Sequence, residues 1–162
     1  VGLAYGVELS EIQKGIESLQ SLSGRFHIIE NEKYTIVDDC YNANPMSMKA
    51  SLGILKDAMG RKVAILGDMG ELGENEKELH REVGTFAGNC GIDLLICVGT
   101  LAIARAAKES SIQAKKQLEA VSFDTLEELL MHLGEQVKQG DTILVKASHF
   151  MNFGKIVEAL QK

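Results

Sequence analysis

The stretches Val63-Ala64-Ile65-Leu66 and Leu94-Leu95-Ile96-Cys97-Val98 decide the fold class of this chain. Both are short and almost continuously apolar, which is the composition of strands buried on both faces of a parallel sheet. Four further β-branched or apolar runs have the length of strands: Phe26–Glu30, Tyr34–Asp38, Ala120–Phe123 and Thr142–Val145. The three residues 31–33 between the first two of these runs predict a hairpin turn.

Helical patterns separate the predicted strands, because apolar residues recur there at the spacing that keeps one side of a helix buried. The predicted buried stripes are Ile12, Ile16 and Leu19; Met48, Leu52 and Leu55; Leu79, Val83 and Phe86; Leu126, Leu129, Leu130, Leu133 and Val137; and Phe153, Ile156, Val157 and Leu160. Met59 is also predicted to be a core residue. The predicted helix starts are Ser10 with Gln13 as a capping box, Asn44 before Pro45, Thr100, and Asp124 with Glu127 as a second box.

The spacing of the predicted strands indicates how they are connected. Their ends, near residues 37, 66, 98, 123 and 145, lie 22 to 32 residues apart, and a strand–helix–strand unit needs about 30 residues. We therefore expect an α/β domain with an open, mostly parallel sheet of about six strands, helices on both faces and an initial β-hairpin. The order of the strands in the sheet stays open.

Composition argues against several classes of protein. The 162 residues carry a net charge of −6, so we expect no nucleic-acid partner, because nucleic-acid-binding domains usually present a basic surface. The longest uncharged apolar stretch, 94–104, has 11 residues, whereas a membrane-spanning helix needs about 20, so we expect no membrane insertion. Three cysteines cannot all pair, and the four histidines form no zinc motif, which predicts reduced thiols, a cytoplasmic location and no structural metal. The start Val-Gly-Leu-Ala lacks an initiator Met, and we interpret the chain as a piece of a longer protein.

Polar side chains follow three of the predicted parallel strands. These loops are 39–45 (Asp-Cys-Tyr-Asn-Ala-Asn-Pro), 67–73 (Gly-Asp-Met-Gly-Glu-Leu-Gly) and 146–149 (Lys-Ala-Ser-His). Because the carboxyl ends of parallel strands meet at one edge of a sheet, we expect the three loops to be neighbours. Together they predict a site for a polar small molecule that carries both signs of charge.

Several of these residues also have a purely structural interpretation. Asn44 before Pro45 is an ordinary helix cap. The glycines of loop 67–73 fit a turn as well as a phosphate cradle, and their GxxGxxG spacing differs from the GxGxxG of dinucleotide sites. His80, beside a predicted apolar stripe, is interpreted as structural. Neither GxxxxGK[ST] nor GxSxG occurs, so the residues alone predict a ligand-binding α/β domain with one polar edge.

The segments Asp38–Pro45 and Leu66–Gly73 together resemble the C-terminal domain of the muramyl ligases, and the similarity runs from Ser23-Gly24-Arg25 to the final helix. The first loop is similar to that of the branch that joins D-alanyl-D-alanine to UDP-N-acetylmuramoyl-tripeptide in peptidoglycan synthesis. The resemblance implies a Rossmann-like domain at residues 23–162 and a helical segment at 1–22 that bridges from a central ATPase domain. It implies an ATP-dependent, amide-forming ligase that works through an acyl phosphate, and a fragment that is inactive alone.

The resemblance also implies partners and site residues. The partners are the N-terminal and central domains of the same ligase, D-alanyl-D-alanine and UDP-N-acetylmuramoyl-tripeptide, with ATP and Mg²⁺ held mainly by the central domain. The implied ATP-binding residues are Arg25, expected at the phosphates, Asp39, expected at the ribose, and Tyr41, Asn42 and Asn44. The implied dipeptide-binding residues are Asp68, Met69, Glu71, Ser148 and His149. No catalytic or metal-binding residue is implied in this domain alone.

The last of the three loops departs from the pattern of the family. Ala147 and His149 stand where Lys-Gly-Ser-Arg would place glycine and arginine, and an imidazole lacks the fork with which a guanidinium binds a carboxylate. A second hypothesis is a non-catalytic α/β nucleotide-binding or receiver-like regulatory module, with Asp38, Asp39 and Lys146 as a phospho-acceptor arrangement. The initial hairpin and the loop 67–73 fit that class poorly.

Overall fold

The structure, a computed structural model, describes residues 2–18, 22–99 and 101–162. The helices are α1 (Leu9–Glu17), α2 (Pro45–Leu55), α3 (Glu76–Cys90), α4 (Leu101–Gln113), α5 (Leu126–Gln136) and α6 (Gly154–Leu160). The strands are β1 (His27–Glu30), β2 (Thr35–Asp38), β3 (Lys62–Leu66), β4 (Leu94–Val98), β5 (Glu119–Phe123) and β6 (Thr142–Lys146). Short 3₁₀ turns occupy Gly2–Tyr5, Gly73–Asn75 and His149–Met151. All six predicted strands are confirmed to within one residue at each end.

The six strands form one sheet in the order β1-β2-β6-β3-β4-β5. β1 and β2 pair antiparallel as the predicted hairpin, and every other neighbouring pair is parallel. The last strand is inserted between β2 and β3, with Val145 opposite Asp38 on one side and Ile65 on the other. This insertion places the carboxyl ends of β2, β6 and β3 next to one another.

Two apolar cores cover the two faces of the sheet, as predicted. One core holds α5 and α6, with Leu129 and Ile156 fully buried, and the other holds α2, α3 and α4, with Leu52 and Val83 fully buried. The strands alternate their side chains between the two cores, which explains why β3, β4 and β6 are apolar along nearly their whole length. Among the described residues, no helix is both long and apolar enough to cross a membrane.

The predicted helix starts have mixed outcomes. Asn44 is confirmed, since its side chain accepts a hydrogen bond from the Ser47 N–H at 2.8 Å and Pro45 is the first helical residue. The Ser10 box is wrong: the cap position is Glu8, and Ser10 lies inside α1. The Asp124 box is displaced by one residue. The hydroxyl of the next residue, Thr125, accepts a hydrogen bond from the Glu128 main-chain N–H. The Glu128 carboxylate accepts a hydrogen bond from the Asp124 main-chain N–H. The predicted cap Thr100 lies outside the described residues.

Some side chains predicted in the core lie at the surface. Met59 is 86% exposed in the turn after α2, and Phe86 is 36% exposed. Gly84 lies on the buried side of α3, where α4 approaches too closely for a larger residue. A Cβ on Gly84 would lie 2.3 Å from the main-chain oxygen of Ile103 in α4. In α1 the apolar side is unburied, with Ile16 63% exposed; Leu19 of the same predicted stripe lies outside the described residues.

Candidate functional site

The loops after β2, β6 and β3 form one continuous rim, which confirms that the regions of Asp39, Gly67 and Ser148 are neighbours. Three main-chain hydrogen bonds, each of 3.0 Å, join them. The N–H groups of Asp39, Gly67 and Ser148 donate to the main-chain carbonyl oxygens of Val145, Lys146 and Asp68, respectively. The sheet continues across the three strand ends, so the loops leave it side by side.

Two adjoining pockets open on this rim. The β2 pocket has a volume of about 370 Å³ and is lined by Gly24, Arg25, Phe26, Asp39, Tyr41, Asn42, Asn44, Ser47 and Lys146. The β6 pocket has a volume of about 400 Å³ and is lined by Tyr41, Asn42, Gly70, Glu71, Ser148, His149 and Phe150. All five residues implied for ATP line the first pocket, and three of the five implied for the dipeptide line the second.

A buried ion pair forms the floor of the β2 pocket. The Lys146 side chain is only 2% exposed, and its Nζ lies 2.7 Å from Oδ2 of Asp39, whose side chain is 15% exposed. The same ammonium donates to the carbonyl of Asn42 at 3.1 Å. Asp39 also accepts from the Ser51 hydroxyl at 2.7 Å and from the Phe26 N–H at 3.1 Å. The pair therefore joins β6, the β2 loop, α2 and the start of β1 at one point.

Lys146 belongs to one of the three loops predicted to form the polar edge, but it was not among the ligand-binding residues that the resemblance implies. Its position at the end of an apolar strand was the available signal, since a lysine is almost never fully buried unless it is paired. The second hypothesis grouped it with Asp38 and Asp39, but the sequence did not show which of these two carboxylates it contacts, because they lie far from Lys146 along the chain. Asp39, implied for the ribose, thus has a structural bond in addition to any contact with a ligand.

Asp38 bonds the neighbouring loop segments and lines neither pocket. It is 3% exposed, and its Oδ2 accepts from the Gly24 N–H at 2.8 Å and the Ser23 hydroxyl at 3.1 Å. Its Oδ1 accepts from the Cys40 thiol at 2.9 Å. This carboxylate fastens the segment that leads into the domain onto the end of β2.

Arg25 and His149 both lie beside the Tyr41 ring where the two pockets meet. The guanidinium carbon of Arg25 lies 4.2 Å from the centroid of the Tyr41 ring, and the His149 ring lies 5.7 Å from the same ring at an angle of 49°. Tyr41 is 48% exposed. Its main-chain N–H donates to the Gly24 carbonyl at 2.9 Å, so the tyrosine backbone is fixed while the ring faces solvent.

Strained backbone marks the same region. Phe26, Glu71 and Asn152 have φ values of 53°, 59° and 53°, in the left-handed region that residues other than glycine rarely adopt. Such conformations persist only where surrounding contacts hold them, and they concentrate at ligand sites. At Glu71 the turn places an acidic side chain in the lining of the β6 pocket.

Ser148 and Gly70 form the wall of the β6 pocket. The Ser148 Oγ accepts a hydrogen bond from the Gly70 N–H at 2.8 Å, and a hydroxyl that accepts one bond still has its own hydrogen to donate. A Cβ on Gly70 would lie 2.9 Å from the Phe150 ring, so glycine allows these two loops to approach closely.

Two of the implied dipeptide residues are absent from the lining of the β6 pocket. Met69 is 1% exposed and packs in the core beneath the loop. Its N–H donates to Nε2 of His80 at 2.9 Å, while His80 Nδ1 lies 2.8 Å from the Glu76 carbonyl. Oδ1 of Asp68 lies 3.8 Å from His80 Nε2. The loop therefore presents Glu71 to the pocket and turns Met69 inward, and the structural interpretation of His80 is confirmed.

Two of the three cysteines, Cys40 and Cys97, are unsuited to nucleophilic chemistry. Burial, with a contribution from the hydrogen bond to Asp38, raises the pKa of Cys40 to about 12, and burial raises the pKa of Cys97 to about 12. Thiolate is the reactive form, so both groups are inert at neutral pH. Within the described part of the chain, no group of three or more His, Cys, Asp or Glu side chains is arranged to hold a metal ion.

Comparison with known proteins identifies relatives of the chain. The family model "Mur ligase, glutamate ligase domain" matches residues 24–149. The chain is 37% identical to a UDP-N-acetylmuramoyl-tripeptide–D-alanyl-D-alanine ligase of Buchnera aphidicola, over 100% of the chain and 34% of the relative. MurF from Acinetobacter baumannii superposes with a TM-score of 0.81 at 32% identity, over 99% of this chain and 35% of that one. MurF from Thermotoga maritima in complex with ADP superposes with a TM-score of 0.77 at 28% identity, over 99% and 35%. The chain spans about a third of the length of these relatives.

Proposed function

The chain belongs to the Mur ligase family, and from that premise we propose that it is the substrate-binding and lid domain of a cytoplasmic ATP-dependent ligase. The reaction joins D-alanyl-D-alanine to UDP-N-acetylmuramoyl-tripeptide. The observation that carries the proposal is the pair of adjoining pockets on one rim: Arg25, Asp39 and Asn44 line the β2 pocket alone, Glu71, Ser148 and His149 line the β6 pocket alone, and Tyr41 and Asn42 line both.

The residues of the β2 pocket fit part of a nucleotide. Arg25 supplies a cation that binds phosphate with two parallel hydrogen bonds. Both oxygens of Asp39 already accept protein hydrogen bonds, yet a carboxylate has about four acceptor sites, so it can also accept from a ribose hydroxyl. Asn42 and Asn44 add amides at the same opening.

The β6 pocket fits the dipeptide because it carries both signs of charge. D-alanyl-D-alanine has an ammonium group at one end and a carboxylate at the other. Glu71 is complementary to the ammonium group, and the Ser148 hydroxyl together with His149 is complementary to the carboxylate. The pocket volume of about 400 Å³ is in the range of small-molecule sites.

In this reaction the chain binds and orients the substrates. ATP transfers its terminal phosphoryl group to the terminal carboxylate of the tripeptide, which gives an acyl phosphate and ADP. The amine of the dipeptide then attacks the acyl carbon, inorganic phosphate leaves, and the new amide nitrogen loses a proton. The N-terminal and central domains of the ligase supply the UDP-sugar site, the phosphate loop and Mg²⁺. Residues 1–22 form the bridge to the central domain, which accounts for the exposed apolar side of α1. Closure of this domain then brings the two pockets to the reacting atoms and excludes water.

The geometry supplies only part of the arrangement that the regulatory-module hypothesis needs: Lys146 Nζ lies 2.7 Å from Asp39, but Asp38 is closed off. A phospho-acceptor carboxylate must be open to the incoming phosphate, whereas Asp38 is 3% exposed and both of its oxygens accept hydrogen bonds. The family match also points to the ligases.

Substitutions in the full-length ligase test the proposal, because each pocket has its own substrate. Arg25→Met, at a residue that lines the β2 pocket but not the β6 pocket, is expected to raise the KM for ATP, and Glu71→Gln is expected to raise the KM for D-alanyl-D-alanine. Loss of a hydrogen bond to a charged group is worth about 1.5–3 kcal/mol, so the KM change at Glu71 is expected to be about ten- to hundredfold. Lys49→Met, on the outer face of α2, is the control and is expected to change neither constant. Ligase activity with unchanged KM values in both pocket variants would contradict the assignment.

A further inference from the structure

Tyr41 is one of two residues that line both pockets, the other being Asn42. Its side chain lines the β2 pocket, the β6 pocket and a third cavity of about 310 Å³ beside α6. Arg25 of the β2 pocket stacks on its ring at 4.2 Å, and His149 of the β6 pocket lies 5.7 Å from the same ring. A change at Arg25 therefore reaches His149 through one side chain.

We propose, building on the proposed function, that Tyr41 is a positioning residue that couples nucleotide binding to dipeptide binding. In the free enzyme the Arg25 guanidinium rests on the Tyr41 ring. A nucleotide phosphate draws Arg25 away from the ring, the ring shifts, and His149 turns toward the dipeptide carboxylate.

The exchange of partners at Arg25 is physically favourable. A cation over an exposed aromatic ring is weakly held, whereas a guanidinium forms two parallel charge-assisted hydrogen bonds with a phosphate. Arg25 and Tyr41 both line the β2 pocket, so the guanidinium reaches an anion there without a movement of the sheet.

The main chain at Tyr41 is held in place, so only the ring can move when Arg25 leaves it. The Tyr41 N–H is bonded to the Gly24 carbonyl at 2.9 Å, and a Cβ on Gly24 would lie 3.1 Å from the Tyr41 nitrogen. The main chain is thus packed closely, while the ring is 48% exposed and borders open space in three directions. His149 is also exposed, so both rings have room to turn.

Binding measurements on the full-length ligase test this coupling. The Kd for D-alanyl-D-alanine is measured by calorimetry with and without a non-hydrolysable ATP analogue. We expect the analogue to lower this Kd at least fivefold, and the dipeptide to lower the Kd of the analogue by the same factor, because linkage is reciprocal. Tyr41→Leu is expected to reduce the factor to about one, Tyr41→Phe to retain it, and Arg25→Met to abolish it. Phe86→Leu, an exposed aromatic on α3, is the matched control and is expected to retain it.

The outcomes separate the coupling from the proposed function. If neither ligand binds the wild-type ligase, the proposed function fails, and the coupling fails with it. If both ligands bind independently in the wild type, or if Tyr41→Leu retains the full factor, the role of Tyr41 is refuted while the proposed function stands. Rescue by Tyr41→Phe distinguishes a ring contact from a general loss of structure, which melting temperatures of the variants check independently.

Discussion

Replacement of Lys146 by methionine is the perturbation whose effect the structure defines best. Methionine matches the length of the lysine stem but removes the ammonium, which is 2.7 Å from Asp39 and 3.1 Å from the Asn42 carbonyl. Removing one partner of a buried ion pair costs about 3–5 kcal/mol, because a buried charge remains uncompensated. Asp39 is 15% exposed and keeps two other hydrogen bonds, so we expect a loss near the lower limit, about 3 kcal/mol of unfolding free energy.

Equilibrium urea denaturation of the 162-residue chain measures this loss as a fall in the midpoint without a change in slope. Lys49→Met is a matched control, since Lys49 Nζ lies 2.9 Å from Glu82 but the two side chains are 34% and 47% exposed. Its expected cost is below about 1 kcal/mol. The double variant Lys146→Met with Asp39→Asn is expected to recover part of the loss, because no unpaired charge remains.

Equal losses at Lys146 and Lys49 would refute the reasoning, since burial is the property that distinguishes the two pairs. A double variant as unstable as the sum of its single variants would also refute it, because it would show that the two charges act independently.

Three further predictions concern packing, ionisation and capping. Gly84→Ala is expected to lower the unfolding free energy by about 1–3 kcal/mol, because the added Cβ would lie 2.3 Å from a main-chain oxygen of α4. Gly134→Ala, where the added Cβ would meet nothing within 4 Å, is expected to raise the unfolding free energy by up to about 1 kcal/mol. Thermal denaturation of the two variants measures this difference. The pKa of Cys40 and of Cys97 is raised to about 12 from 9.0, which predicts slow alkylation of both thiols at pH 8. The folded state is also expected to lose stability as the pH rises above 9, because the thiols of the unfolded chain ionise first. Mass spectrometry of iodoacetamide adducts that shows both thiols reacting as fast in the folded chain as in urea would contradict this. Asn44→Ala is expected to cost about 1 kcal/mol in chemical denaturation through loss of the α2 cap, and Asn44→Ser much less.

The elements of the fold were largely predictable because their signals are local. β4 was predicted at Leu94–Val98 and is observed there, since a run of branched apolar residues has few alternatives to a buried strand. The Asn44-Pro45 start of α2 was equally readable, because cap and proline act within one turn. In the predicted stripe of α3, Val83 is buried as expected but Phe86 is not, because glycine, which carries no hydrophobic signal, forms the close contact between α3 and α4.

The site was predictable as a set of loops but not as a set of contacts. Parallel strands place their carboxyl ends on one edge whatever their order, so the neighbourhood of Asp39, Gly67 and Ser148 followed from the sequence. The insertion of β6 between β2 and β3 did not, and it is this order that buries Lys146 beside Asp39. Met69 and Glu71 are two residues apart in one loop, yet one enters the core and the other a pocket.

The sequence by itself determined the strands, the helices, the polar edge and the family, because these depend on residue patterns within a few turns of chain. Only the tertiary structure decided which polar groups are bonded to the protein and which line the pockets. That division depends on backbone dihedral angles such as the φ of 59° at Glu71 and on contacts across a hundred residues such as Lys146 with Asp39. Neither the dihedral angle nor the contact can be predicted from local composition, because both depend on how segments that are distant along the chain pack together.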